Sequence, residues 1–92
     1  MKHRIELLSR LDSGAADALH QALSLGEGQD IELDASNVTM LGGLCLELLL
    51  CARQVWKASG KTITVEEYSD AFSEHLARFG ITPRDLSAGV AS

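Results

Sequence analysis

Residues 30–57, DIELDASNVTMLGGLCLELLLCARQVWK, constrain this chain more than any other stretch. Asp30-Ile31-Glu32-Leu33-Asp34 alternates polar and apolar side chains, the period of a strand with Ile31 and Leu33 turned inward. The strand runs into Asp34-Ala35-Ser36-Asn37, Val38 and Met40 extend the chain briefly, and Gly42-Gly43 opens a helix that is apolar nearly all the way round. Such a turn and helix suit contact with another protein better than they suit chemistry.

The flanking segments complete a simple order. Arg4-Ile5-Glu6-Leu7-Leu8 reads as a first strand, and Leu11-Asp12-Ser13-Gly14 as a turn in which Asp12 or Ser13 caps the next helix. Residues 14–25 place Ala15, Ala18, Leu19, Ala22 and Leu23 at helical spacing. Asp17 sits near the positive end of the helix dipole, and Gly26 and Gly28 end the segment. The central helix runs from about Gly43 to Ser59, with Lys57 in its last turn and Gly60 as a left-handed stop. Ile63-Thr64-Val65-Glu66 is a third strand. Ser69 or Asp70 caps a third helix to Phe79, with Phe72, Leu76 and Phe79 inward and Gly80 after it. The β-α-β-α-β-α order predicts a small α/β domain with a mixed, mostly parallel sheet joined by right-handed crossovers, its helices mainly on one face. One domain over residues 1–82 is expected, with Pro83 and a polar tail of 83–92 loosely packed behind it.

Projected at about 100° per residue, the central helix gathers Cys45, Leu49, Ala52 and Trp56 on one side, with Leu44, Leu48, Cys51 and Val55 beside them. Glu47, Arg53, Gln54 and Lys57 mark the opposite side, yet Leu46 and Leu50 fall inside that polar sector. Burying a leucine is worth roughly 1.5–3 kcal/mol, so two wet leucines require a cover. Either a neighbouring helix or the chain end covers them, or a partner does. Gly42 and Gly43 admit two compatible readings: a tight turn needing positive φ, or a low backbone profile that a partner approaches.

Composition closes off other classes. A net charge of −5 with scattered basic residues argues against a nucleic-acid footprint. The longest apolar run, Leu44–Ala52, is broken by Glu47 and falls short of the roughly 20 residues of a membrane span. No secretory leader is visible after Met1-Lys2-His3-Arg4, so a cytoplasmic location is expected. Cys45 and Cys51 stand on different sides of the helix and read as small buried apolar side chains. His3, His20 and His75 are dispersed, Glu66-Glu67 ends a strand, and Asp34 reads as a turn former. No phosphate loop, dinucleotide fingerprint, metal-ligand spacing or nucleophile–base pair is present, so no catalytic residue, metal or cofactor is assigned and no enzyme is expected.

With these residues placed, the chain resembles the STAS family, the fold of anti-sigma factor antagonists and related bacterial regulators. The likeness covers roughly residues 2–80. It lies in Leu33-Asp34-Ala35-Ser36-Asn37-Val38-Thr39, then Leu41, the turn, Leu46, Leu49 and Arg53. The Leu-Gly-Gly version is similar to a stand-alone subgroup associated with chemotaxis and signalling operons. The resemblance implies a non-enzymatic regulator that binds a histidine-kinase-like ATPase, an anti-sigma factor or a chemotaxis regulator through the 34–50 region. The implied contact residues are Ser36, Asn37, Thr39, Gly42, Gly43, Leu44, Leu46, Glu47 and Leu50. An accessory subunit of a transporter ATPase, or a homodimer packed through Leu46 and Leu50, is the alternative. Where antagonist members carry a phosphorylated serine, Gly42, Gly43, Leu44 and Cys45 stand instead. The usual phospho-switch, an added charge of about −1.5 to −2 at a contact, has no acceptor there. Ser36 and Thr39 are the nearest hydroxyls; a turn cap and a β-branched strand residue are their plainer roles.

Overall fold

The computed structural model describes residues 3–87. Strands β1 (His3–Glu6) and β2 (Arg10–Leu11) lead through a 3-10 turn at Ser13–Ala15 into helix α1 (Ala16–Leu25). Strands β3 (Ile31–Ala35) and β4 (Met40–Leu41) precede helix α2 (Gly43–Ser59). Strand β5 (Ile63–Tyr68) precedes helix α3 (Asp70–Arg78), and a second 3-10 turn covers Pro83–Leu86. All pairing is parallel: a three-stranded sheet in the order β1-β3-β5, and a short β2–β4 ladder. Helices α1 and α2 pack side by side, as the expected α/β order requires.

Period-two alternation puts Ile5, Ile31, Leu33, Ala35 and Ile63 on one sheet face, where they join Leu19, Leu23, Leu49, Ala52 and Trp56 in one core. The other face carries Arg4, Glu32 and Thr64 in a cross-strand row. Arg4 holds Glu32 at 3.0 Å and Asp34 at 2.6 Å there. Helix α3 packs on β4 and the Pro83–Leu86 turn, with Phe72 and Leu76 buried. Main-chain ties link the ends: Trp56 Nε1 donates to the Gln29 carbonyl at 2.8 Å, and Asp30 Oδ1 accepts from the Thr62 amide at 2.9 Å.

The β2–β4 ladder was not expected from sequence, and its register shapes the corner above it. Glu6 pairs with Asp34 and Arg10 with Met40, so residues 7–9 on one segment span the same stretch as residues 35–39 on the other. The second segment therefore has two residues in excess, and Ser36 and Asn37 stand out to solvent as a turn.

Several expectations need correction. Neither Asp12 nor Ser13 caps α1 through its side chain; a 3-10 turn intervenes and Ala15 occupies the cap position. Phe79 lies beyond α3 and is exposed, because the helix stops at Arg78 before Phe79 completes the inward stripe. Pro83 is not the start of a loose tail. Leu86 is 1% exposed, Ser87 Oγ accepts from the Val65 amide, and the Ser87 carbonyl accepts from Arg53 Nε at 3.3 Å. This turn closes the open side of β5, a common protection for an edge strand. The remainder of the expected tail, residues 88–92, lies outside the described residues.

The same turn explains the misplaced leucines. Leu46, Leu50 and Arg53 follow one another at i, i+4 and i+7 on α2, and Arg53 reaches Ser87. The chain end thus folds back over that face: Leu46 is 4% exposed and Leu50 is partly buried against the core. Leu46 is therefore not left wet for a partner, and Leu50 is only partly exposed. Cys51 is exposed rather than buried; Cys45 is buried.

Candidate functional site

The β3-to-α2 connection is built from beneath by three side chains and leaves its upper residues free. Asp34 is buried at the end of β3. Its Oδ1 accepts from the Ser36 amide at 2.9 Å and the Ser36 hydroxyl at 2.6 Å, while Oδ2 accepts from Arg4. This is the Asx-type turn that Asp favours. The Ser36 donors, and then Arg4, hold the Asp34 carboxyl below the ordinary aspartate range, overcoming its burial. Asp34 is therefore an ionised acceptor engaged at both oxygens by structural donors and not a poised base.

The second support is Ser69. Its hydroxyl caps α3 by accepting from the Phe72 amide at 3.1 Å, and donates to the Val38 carbonyl. Its amide also donates to the Ala35 carbonyl at 3.1 Å. The third is His75, whose Nδ1 accepts from the Leu41 amide at 2.9 Å. Accepting there fixes the tautomer with its proton on Nε2. Thr39 donates its hydroxyl and its amide to the Ser9 carbonyl, at 3.0 and 2.7 Å. Loop 35–39 is therefore fastened to β2, β3 and α3 at once.

Above these supports the first turn of α2 is open. Gly42 is its N-cap with φ −89° and supplies no side-chain acceptor, and the first internal bond is Leu46 amide to Gly42 carbonyl at 3.1 Å. Neither Gly42 nor Gly43 has positive φ; Gly28, Gly60 and Gly80 do. The expected left-handed turn is thus absent. Gly42 is instead confined by space: a Cβ there would lie 3.2 Å from the Leu11 carbonyl oxygen, which accepts from the Gly42 amide. A Cβ on Gly43 meets nothing within 4 Å.

Of the nine expected contact residues, Ser36, Asn37, Thr39, Gly43, Leu44 and Glu47 are exposed, Gly42 and Leu50 are half-buried, and Leu46 is buried. Leu44 is 48% exposed and shares the first helical turns with Gly43 and Glu47. Thr39 is a loop residue rather than a strand residue. Sequence reasoning missed Arg4 and His75 as supports. Each acts across about thirty residues, and no local pattern encodes such a partner.

Chemically the corner offers hydrogen-bonding groups and one leucine. Cys45 lies below it with Sγ 3.3 Å from the Asp12 carbonyl, and burial pushes its thiol up, away from thiolate character. Among the described residues no three His, Cys, Asp or Glu side chains are grouped to hold a metal ion. Two shallow apolar clefts flank α1, one against β1–β2 and one against α2, and neither includes the corner. No helix among the described residues is long and apolar enough to cross a membrane.

A family model described as "Mlab, STAS domain" matches residues 2–86. No curated protein and no solved structure matches the chain.

Proposed function

Because the chain belongs to the STAS domain family, we propose that it is a non-enzymatic regulatory protein that docks on a partner through loop 36–39 and the first turn of α2. The observation that carries this reading is the contrast within one connection. Asp34, Ser69 and His75 fix its backbone from below, while Ser36, Asn37, Thr39, Gly43, Leu44 and Glu47 face solvent. A preformed surface loses little conformational entropy on binding.

The partner we favour is a histidine-kinase-like ATPase domain, an anti-sigma factor or a chemotaxis regulator, in a cytoplasmic signalling setting. One feature supports a second reading, an accessory subunit of a transporter ATPase. Gly42 and Gly43 offer no hydroxyl for a phosphate to interrupt the contact, and Ser36 already donates its hydroxyl to Asp34. Such a surface fits a constitutive subunit as well as an antagonist.

Affinity capture from source cells with wild type, Leu44→Asp and the remote control Lys57→Asp tests the docking surface. Leu44→Asp is expected to lose an ATPase or regulator that the other two retain. Equal recovery by all three refutes the surface, and the identity of the retained protein separates signalling regulator from transporter subunit.

A further inference from the structure

The outer edge of β1 is an unpaired strand with a charge pattern that matches itself. His3 and Leu7 send their amides to the Asp30 and Asp34 carbonyls of β3, at 2.8 and 2.9 Å. Alternate residues of a strand point their main-chain groups to opposite sides, so Arg4 and Glu6 present theirs to the open edge. No strand occupies that edge among the described residues, since the sheet order is β1-β3-β5.

We propose that β1 pairs antiparallel with β1 of a second copy of this chain, about a twofold axis at Ile5, so that the two sheets become one. Outward-facing residues must be hydrogen-bonded partners in such a pair, which permits Arg4 opposite Arg4, Glu6 opposite Glu6, or Arg4 opposite Glu6. The first two oppose like charges. Only the third sets Arg4 of each chain against Glu6 of the other, twice over by symmetry. Both side chains are exposed on the open sheet face. Glu6 makes no ion pair among the described residues, and Arg4 spends two of its five donors on Glu32 and Asp34.

The apolar surroundings agree. On the core side of the edge lies the cleft lined by Ile5, Leu7, Leu8, Ala18 and Ala22. Leu8 is 52% exposed; Ala18, Ala22 and Leu25 continue the stripe at i, i+4 and i+7 along α1, with Leu25 76% exposed. Charges on an edge deter foreign strands. The same charges admit a copy of themselves in one register. This surface shares with the docking corner only Arg4, which buttresses Asp34 from below, and none of the corner's exposed residues; the variants that test it alter Glu6 alone, so the two proposals fail separately.

Four ladder bonds and a small apolar flank place the association at the weak end of specific interfaces, with Kd of tens to hundreds of micromolar. Sedimentation equilibrium of the full chain from about 10 µM to about 1 mM is expected to show a monomer–dimer equilibrium. Glu6→Arg opposes arginines twice and weakens it at least about tenfold. Glu6→Pro removes only an edge-facing amide, leaves the β1–β3 ladder intact and abolishes it. In the wild type, amide exchange at Arg4 and Glu6 slows as concentration rises. A monomer throughout, a dimer indifferent to Glu6→Arg, or edge amides whose exchange ignores concentration would each overturn the proposal. The exchange and Glu6→Arg arms decide it should the proline variant fail to fold.

Discussion

Replacing Ser69 by alanine tests whether the proposed docking corner is held by tertiary hydrogen bonds or merely rests on the core. The hydroxyl does two things: it accepts from the Phe72 amide as the cap of α3, and it donates to the carbonyl of Val38 in the loop. Losing an N-cap costs about 1 kcal/mol. Leaving the Val38 carbonyl without its donor, beside a side chain that is itself 1% exposed, costs about 1 kcal/mol more. Ser69→Ala should therefore lose about 2 kcal/mol in urea unfolding, or about 10 °C in Tm for a chain of this length. Ser69→Asp separates the parts: a carboxylate caps the helix but cannot donate to Val38, so it recovers about half of the loss. Amide exchange in residues 36–39 should accelerate in both variants, since both release the loop. A loss below about 0.5 kcal/mol for alanine, or full recovery by aspartate, would show that the Ser69–Val38 contact does not hold the corner.

Adjacent glycines should respond with opposite sign: Gly42→Ala presses on the Leu11 carbonyl and costs about 1 kcal/mol, whereas Gly43→Ala fills open space in a helical turn and gains about 0.5 kcal/mol, both read by thermal melting. Leu46→Ala should cost about 3 kcal/mol in denaturant unfolding, because it empties a covered site, while Leu44→Asp should change stability by less than about 0.5 kcal/mol and act on partner capture alone. Asp34 binds its proton less readily folded than unfolded, so the unfolded chain takes up more protons in acid. The stability it contributes is complete above the unfolded aspartate range and is lost as pH falls through its lower folded value. Urea midpoints of wild type should therefore drop below about pH 4, and Asp34→Asn should be less stable at neutral pH with a shallower acid decline. A residual decline remains in that variant, since Asp30, through Thr62, and Asp85, through Thr82, are held low as well.

What could be read from sequence was set by short-range rules. Alternation at 30–34, the helical period of 43–59 and the order of elements depend on residues a few positions apart, and the sheet and helices formed as that pattern demands. Gly60 stops α2 with φ 74°, and Ser69 caps α3, because both tasks are local. Of the residues that the family resemblance implied, Ser36, Asn37 and Thr39 are exposed in the loop and Gly43, Leu44 and Glu47 on the first turns of α2.

Only the folded chain decided the rest. Two-residue strands such as β2 and β4 carry no period, so their pairing, and the excess of loop 35–39 that it creates, emerged only when the two segments lay side by side. Leu46 and Leu50 looked stranded because a helical projection treats one helix alone; in the fold the Pro83–Leu86 turn packs against α2, Arg53 of the same helix face reaches Ser87, and Leu46 is buried while Leu50 is half-buried. Arg4 and His75 support the corner over separations of thirty and thirty-four residues. Local propensity fixes which segments become strand or helix, since the chain settles those preferences within a turn or two. Which side chain shields or anchors another depends on contacts distant in sequence, and those exist only after the layers have packed.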